Sequence, residues 1–71
     1  MTHVAKIIEI IGSSNLGWED AAQNAVLEAN RTIKGITGIE VSNMTAKVNP
    51  EDGKITTYRT SVKIAFVVKH P

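Results

Sequence analysis

The sequence has no cysteine, so no disulfide can brace it, and no Cys/His cluster points to structural zinc. Aromatics are scarce: one Trp, one Tyr and one Phe. Charge of one sign is not concentrated either. Eight basic residues stand against seven acidic ones, with no run of like charge. A nucleic-acid-binding domain of this size usually shows a basic stripe, so nucleic acid is not the expected partner. Long apolar runs are also missing. The N-terminal MTHVAKIIEIIG is broken by Lys6 and Glu9 and lacks the apolar core of a signal peptide. Nothing approaches the length of a membrane span. The expectation is a soluble, cytoplasmic protein with no membrane partner.

Its 71 residues make one small domain, 1–71. A chain this short buries only about 60% of the surface its unfolded form exposes. With no disulfide or metal to help, oligomerisation is the remaining common support. Self-association is therefore expected before any motif is considered.

The clearest pattern is the last strand, Ile55 to Val68, reading ITTYRTSVKIAFVV. Tyr58, Val62, Ile64, Phe66 and Val68 fall on one face, Arg59, Ser61, Lys63, Ala65 and Val67 on the other. Such alternation marks a strand with one buried face. Upstream, Val4 to Ile11 is rich in β-branched residues and reads as a strand. Gly12 to Gly17 reads as a loop. Its Gly-x4-Gly spacing lacks the Lys-Ser/Thr of a phosphate loop, so Ser13, Ser14 and Asn15 are read as turn and cap formers. Trp18 to Lys34 is the expected helix, with Trp18, Ala22, Ala25, Ala29 and Ile33 on one stripe and Lys34-Gly35 at its end. Ile36 to Val48 is the second strand, and Asn49 to Gly53 is a hairpin turn carrying Asp-Gly.

A two-residue turn at Asp52-Gly53 would pair residues whose numbers sum to about 105, placing Ile39 opposite Phe66 and Val41 opposite Ile64. Gly38, Glu40, Ser42, Met44 and Ala46 would then share the mixed face with Arg59, Ser61 and Lys63. The fold class is α+β in the order β-α-β-β: a three-stranded antiparallel sheet, its first strand beside its last, packed on one helix.

Candidate chemistry is thin. His3 and His70 stand near the ends, no Ser or Thr sits in a nucleophile motif, and a triad would have to assemble across subunits. Catalysis is not expected. Trp18 can be a stacking platform or a packing anchor; its place at the head of an Ala-rich helix favours the anchor. Tyr58 and Phe66 are assigned to the core. Asn49, Glu51 and Asp52 offer oxygens to Ca2+, but the turn reading accounts for them. Glu40 is read as a cross-strand ion-pair partner of Lys63.

Several short stretches resemble the dodecin family together and in order. They are His3-Val4 with Lys6, Ile8-Glu9, Gly12-Ser13-Ser14, Trp18-Glu19-Asp20-Ala21-Ala22, Asn24-Ala25-Val26, Glu40-Val41 and Thr57-Tyr58. The resemblance implies a dodecin-like subunit in a hollow homododecamer. It also implies flavin binding, of riboflavin or FMN, by a stacking tryptophan on strand two and a glutamine on strand three. Those positions here are Gly38 and Arg59. Glycine forfeits an aromatic pair, about 0.5–1.5 kcal/mol beyond buried area. Arginine donates but cannot accept. Family members without the tryptophan are described as calcium-binding, which makes Glu40, Glu51 and Asp52 the metal candidates. Gly38, Arg59 and Glu40 are the ligand candidates, and Arg59 suits an anionic group. The expected function is a non-enzymatic store of a small ligand or ion with a degraded flavin site. The alternatives are a true flavin binder using other contacts, and a calcium-binding dodecin.

Overall fold

A computed structural model describes residues 4–68, so His3 and His70 lie outside the described residues. Four elements follow in order: β1 (Val4–Ser14), α1 (Trp18–Asn30), β2 (Ile36–Val48) and β3 (Ile55–Val68). The strands form one antiparallel sheet in the order β1-β3-β2, the β-α-β-β architecture expected from the sequence. β1 runs past the expected end at Ile11 because Gly12, Ser13 and Ser14 continue in unbroken register against Thr60, Arg59 and Tyr58. The loop shrinks to Asn15–Gly17, and no serine or asparagine side chain caps the helix. Instead the Ser14 hydroxyl accepts from the Leu16 N–H at 2.9 Å and donates to Asp20 Oδ2 at 2.6 Å. Ser14 thus turns the chain and fixes an acidic residue in the first helical turn, where the helix dipole favours it.

The helix lies flat on the sheet through alanines. Ala21, Ala22, Ala25 and Ala29 are all buried; Ala21 was not part of the expected stripe. Small side chains bring the backbones together, and Gly12 on β1 completes the contact. A Cβ on Gly12 would overlap the Ala21 carbonyl oxygen and stand 3.0 Å from the Ala25 Cβ. The helix ends at Asn30, four residues before the expected end, and no basic residue occupies its last turn. There the bonds tighten, with Arg31 N–H donating to Glu28 O and Thr32 N–H to Ala29 O at 3.2 Å each. β-branched Thr32 and Ile33 favour leaving the helix. Ile33 packs against the core from this non-helical stretch, and Gly35, at φ 81°, turns the chain into β2.

The hairpin register also differs from expectation. Ile39 pairs with Ile64 and Val41 with Val62, two residues from the predicted partners. The shift is even, so both remain on the helix side. Three irregularities interrupt the ladder, between Ile36 and Gly38, between Val41 and Asn43, and between Lys47 and Val48. The middle one makes Ser42 an extra residue on β2, and beyond it Met44 pairs with Thr60 and Thr45 with Arg59. One inserted residue turns the remaining strand over. Met44 and Ala46 therefore move to the helix side, and Thr45 and Lys47 take the helix-free face. Hairpin-tip geometry alone cannot reveal a bulge formed by an ordinary serine in mid-strand.

The core is thin. Ala22, Ala25 and Ala29 cover Val62 and Ile64, with Ile8, Ile10, Ile33 and Ile36 at its margin. The subunit measures 57 × 20 × 12 Å with a radius of gyration of 15.0 Å. A compact chain of this length has a radius of gyration of about 11 Å. The helix covers β1 and β3 and barely touches β2, leaving Ile39, Val41 and Met44 exposed on its own side of the sheet. Ile7 and Ile11 are about two-thirds exposed on the opposite face, at 65% and 66%. No helix among the described residues is long and apolar enough to cross a membrane.

Candidate functional site

Trp18 is fastened at the head of the helix. Its Nε1–H donates to the Thr45 carbonyl at 2.9 Å. Its ring meets Tyr58 edge-on, with centroids 4.8 Å apart and planes at 81°. Its carbonyl accepts from the buried Thr60 hydroxyl at 2.8 Å. These bonds tie the helix start to both strands of the hairpin. The indole is an anchor, as the sequence suggested; its hydrogen-bonding capacity is already used.

The helix-free face carries the candidate ligand residues in cross-strand rows. One row is Glu9, Lys63 and Glu40, in the order β1-β3-β2. Glu40 lies directly opposite Lys63, yet the two form no ion pair within 4 Å; the ion pair among the described residues is Arg31–Glu28 at 3.3 Å, on the exposed helix surface. The expected Glu40–Lys63 bridge is thus replaced by mere adjacency. Glu9 instead reaches across β3. Its Oε2 accepts from the Ser42 hydroxyl at 3.0 Å and the Ser61 hydroxyl at 3.4 Å. The Ser42 hydroxyl also lies 3.1 Å from the Ser61 carbonyl oxygen. This Glu9–Ser42–Ser61 cluster was missed from the sequence. Its one signal was an acidic residue interrupting the apolar run of β1.

Gly38 stands beside this row, opposite Ala65. A Cβ there would meet nothing within 4 Å. An open groove lined by Ile7, Gly38, Ile39, Glu40, Lys63 and Ala65 runs past it. The groove offers an apolar floor with a carboxylate and an ammonium at its rim, and no aromatic ring.

Arg59 does not join this groove. It pairs with Ser13 and Thr45, six residues along β3 from Ala65, about 20 Å away at roughly 3.3 Å per residue. Gly38 and Arg59 share a face within one subunit but not a site. Glu51 and Asp52 are at the hairpin tip, remote from Glu40. Asp52 Oδ1 accepts from the Lys54 N–H and Asn49 Oδ1 from the Glu51 N–H, the bonding of an ordinary turn. No three acidic, histidine or cysteine side chains cluster to hold a metal among the described residues. The three metal candidates are not brought together, so one subunit's described residues do not fit a Ca2+ cage of six to eight oxygens.

Comparison with known proteins places this geometry. The Dodecin family model matches residues 4–69. The chain is 36% identical over 66 residues to a protein of Mycobacterium tuberculosis named calcium dodecin, covering 93% of this chain and 90% of that one. A crystal structure of that calcium-chelating antigen, described as having a novel calcium-binding site, superposes with a TM-score of 0.78, covering 96% of this chain and 97% of the other. Dodecin from Streptomyces coelicolor superposes with a TM-score of 0.88 at 25% identity, covering 97% and 96% of the two chains. The family match over residues 4–69, the calcium dodecin identity and the shared three-stranded sheet over one helix agree: this chain belongs to the dodecin family.

Proposed function

We propose that the chain is the non-enzymatic subunit of a hollow homododecamer that stores an ion or small ligand, its flavin-stacking site lost. The carrying observation is the bare groove at Gly38. Space for a ring exists there, since a Cβ meets nothing within 4 Å, but this chain supplies no ring. Arg59, the other departure from the flavin-binding pattern, lies about 20 Å away along the hairpin at the usual strand rise, so the two positions do not meet within one subunit. The assembly part is supported by shape. A plate 12 Å thick, with isoleucines two-thirds exposed on one face and an uncovered strand on the other, gains more from neighbours than from its own core. The setting proposed is the cytoplasm, where a cysteine-free chain is indifferent to the thiol pool.

Calcium is the first ion to try, because a relative 36% identical carries that name. Within one subunit the carboxylates do not converge. A hard cation would have to gather its oxygens from more than one copy.

Native mass spectrometry of gently purified protein tests the assembly and reports retained ligands together. The expected result is a twelve-chain mass without flavin. Calorimetric titration with CaCl2 follows, with riboflavin fluorescence as the counter-assay. Quenching of riboflavin at micromolar protein overturns the loss of the flavin site. A mass of one or two chains overturns the storage shell.

A further inference from the structure

The Ser42 bulge on β2 is offset by a second one on β3. Lys47 pairs with Thr57 and Val48 with Ile55, so Thr56 is a surplus residue there. Residues 39–41 and Val48 thus keep one common register with β3, and only segment 43–47 between them stands one residue out of it. The two bulges cancel if that segment slides by one residue. Ser42 then pairs with Ser61, Met44 with Arg59 and Ala46 with Thr57, while the pairings at either end of the segment are kept. The slide turns the segment over, because neighbouring residues of a strand point to opposite faces. In the bulged register the helix-free face carries Asn43, Thr45 and Lys47; in the regular register it carries Met44 and Ala46.

Burial does little to choose between the two registers. Asn43, Met44, Thr45 and Lys47 are exposed and Ala46 is half-buried. A strand with no buried face is weakly held in register. β1 ends at Ser14, opposite Tyr58, so the tip beyond is a two-stranded ribbon with no third strand to oppose the slide. Trp18 reaches the segment through the Thr45 carbonyl, and a one-residue slide puts the Met44 carbonyl in the same place. The choice falls to the hydroxyls at the two surplus residues. Thr56 donates to the Lys47 carbonyl at 3.4 Å, and the Ser42 hydroxyl lies 3.1 Å from the Ser61 carbonyl oxygen and 3.0 Å from Glu9 Oε2. Glu9 is the charged acceptor of this set, and hydrogen bonds to a carboxylate are the stronger kind. It stands on β1, whose own register with β3 is unbroken, so it is a fixed post beside the first bulge.

We propose that segment 43–47 is a register switch. The bulged pairing is its resting state, locked by Glu9 through Ser42, and the regular pairing is its minor state. Release of the lock replaces a polar, cationic stretch of the helix-free face with an apolar one. Any partner that prefers one of the two faces shifts the balance toward it.

The chain has no cysteine, so introduced pairs report the register without background. Directly opposed residues stand about 4.5–5.5 Å apart at Cα, within disulfide reach, whereas side chains on opposite faces point apart and do not bridge. Lys47→Cys with Thr57→Cys reads the bulged register, and Ala46→Cys with Thr57→Cys reads the regular one. Each pair is oxidised with glutathione disulfide in the whole protein, and the bridge within one chain is scored by non-reducing mass spectrometry. The first pair should close readily and the second at least tenfold more slowly. Glu9→Ala should speed the second pair by about fivefold or more and slow the first. Ser42→Ala, which keeps the surplus residue but not its hydroxyl, should act in the same direction and serves as the second unlocking variant. Glu28→Gln, on the exposed helix surface, should change neither rate. Deleting Ser42 lets the observed pairing run on without a bulge on β2, so it should abolish closure of the second pair and spare the first. A second pair that never closes, or closes at one rate with and without Glu9 and the Ser42 hydroxyl, overturns the switch. Closure that persists when Ser42 is deleted also overturns it, because general unfolding then makes the bridge.

Discussion

Replacing Gly12 by alanine puts a methyl group where the helix already lies. The new Cβ would overlap the Ala21 carbonyl oxygen, stand 3.0 Å from the Ala21 carbonyl carbon and 3.0 Å from the Ala25 Cβ. Two of these atoms are backbone, so no rotamer change relieves the clash. The helix must lift from β1 or β1 must bend away. Either motion loosens the packing of Ala22, Ala25 and Ala29 over Val62 and Ile64. Overpacking typically costs about 1–3 kcal/mol, and a clash with backbone belongs at the upper end. A domain of this length has a total stability of about 4–10 kcal/mol. The substitution should therefore remove a third or more of it. The assay is urea denaturation followed by fluorescence of Trp18, the single tryptophan, whose ring leaves Tyr58 when the helix detaches. Protomer concentration must be held constant, because assembly adds to apparent stability. Gly38→Ala is the control: its Cβ meets nothing within 4 Å, so its midpoint should stay within about 0.5 kcal/mol of wild type. Equal midpoints for the two variants would refute the close approach of helix and strand.

Thr60→Val keeps the shape but leaves the Trp18 carbonyl without the hydroxyl now 2.8 Å away, and should cost about 1–3 kcal/mol in the same denaturation assay. Glu28→Gln breaks an ion pair whose partners are 69% and 74% exposed, and should shift the midpoint by no more than the experimental scatter. Gly38→Trp with Arg59→Gln restores both residue types of the flavin-binding pattern, and should confer quenching of riboflavin fluorescence that the wild type lacks. A double mutant that assembles normally yet leaves riboflavin emission unchanged shows that the groove at Gly38 is not the inherited pocket.

Much of this protein is set by residue pattern. The period-2 alternation of Ile55–Val68 specified a strand with one buried face, and Val62 and Ile64 are fully buried there. The alanines at 22, 25 and 29 marked the helix face, because a chain can read its own 3.6-residue period locally. The Asp-Gly turn specified the hairpin, and Gly53 takes φ 72° within it. Absence of cysteine and the small size pointed to self-association, and the ordered short matches from Gly12-Ser13-Ser14 to Thr57-Tyr58 pointed to the family. Tertiary structure decided the rest. The extra residue at Ser42 is invisible in hydropathy, since its cost and its bonds to Glu9 and the Ser61 carbonyl arise only once three strands stand side by side. That one residue determines which side chains of Asn43–Val48 accompany Arg59. The end of the helix at Asn30 was likewise not legible in the stripe, which runs on to Ile33, a residue that packs on the core from beyond the helix. Sequence fixes what each stretch prefers to be; the meeting of stretches far apart in the chain fixes which side chains share a face, and a binding site is made of that sharing.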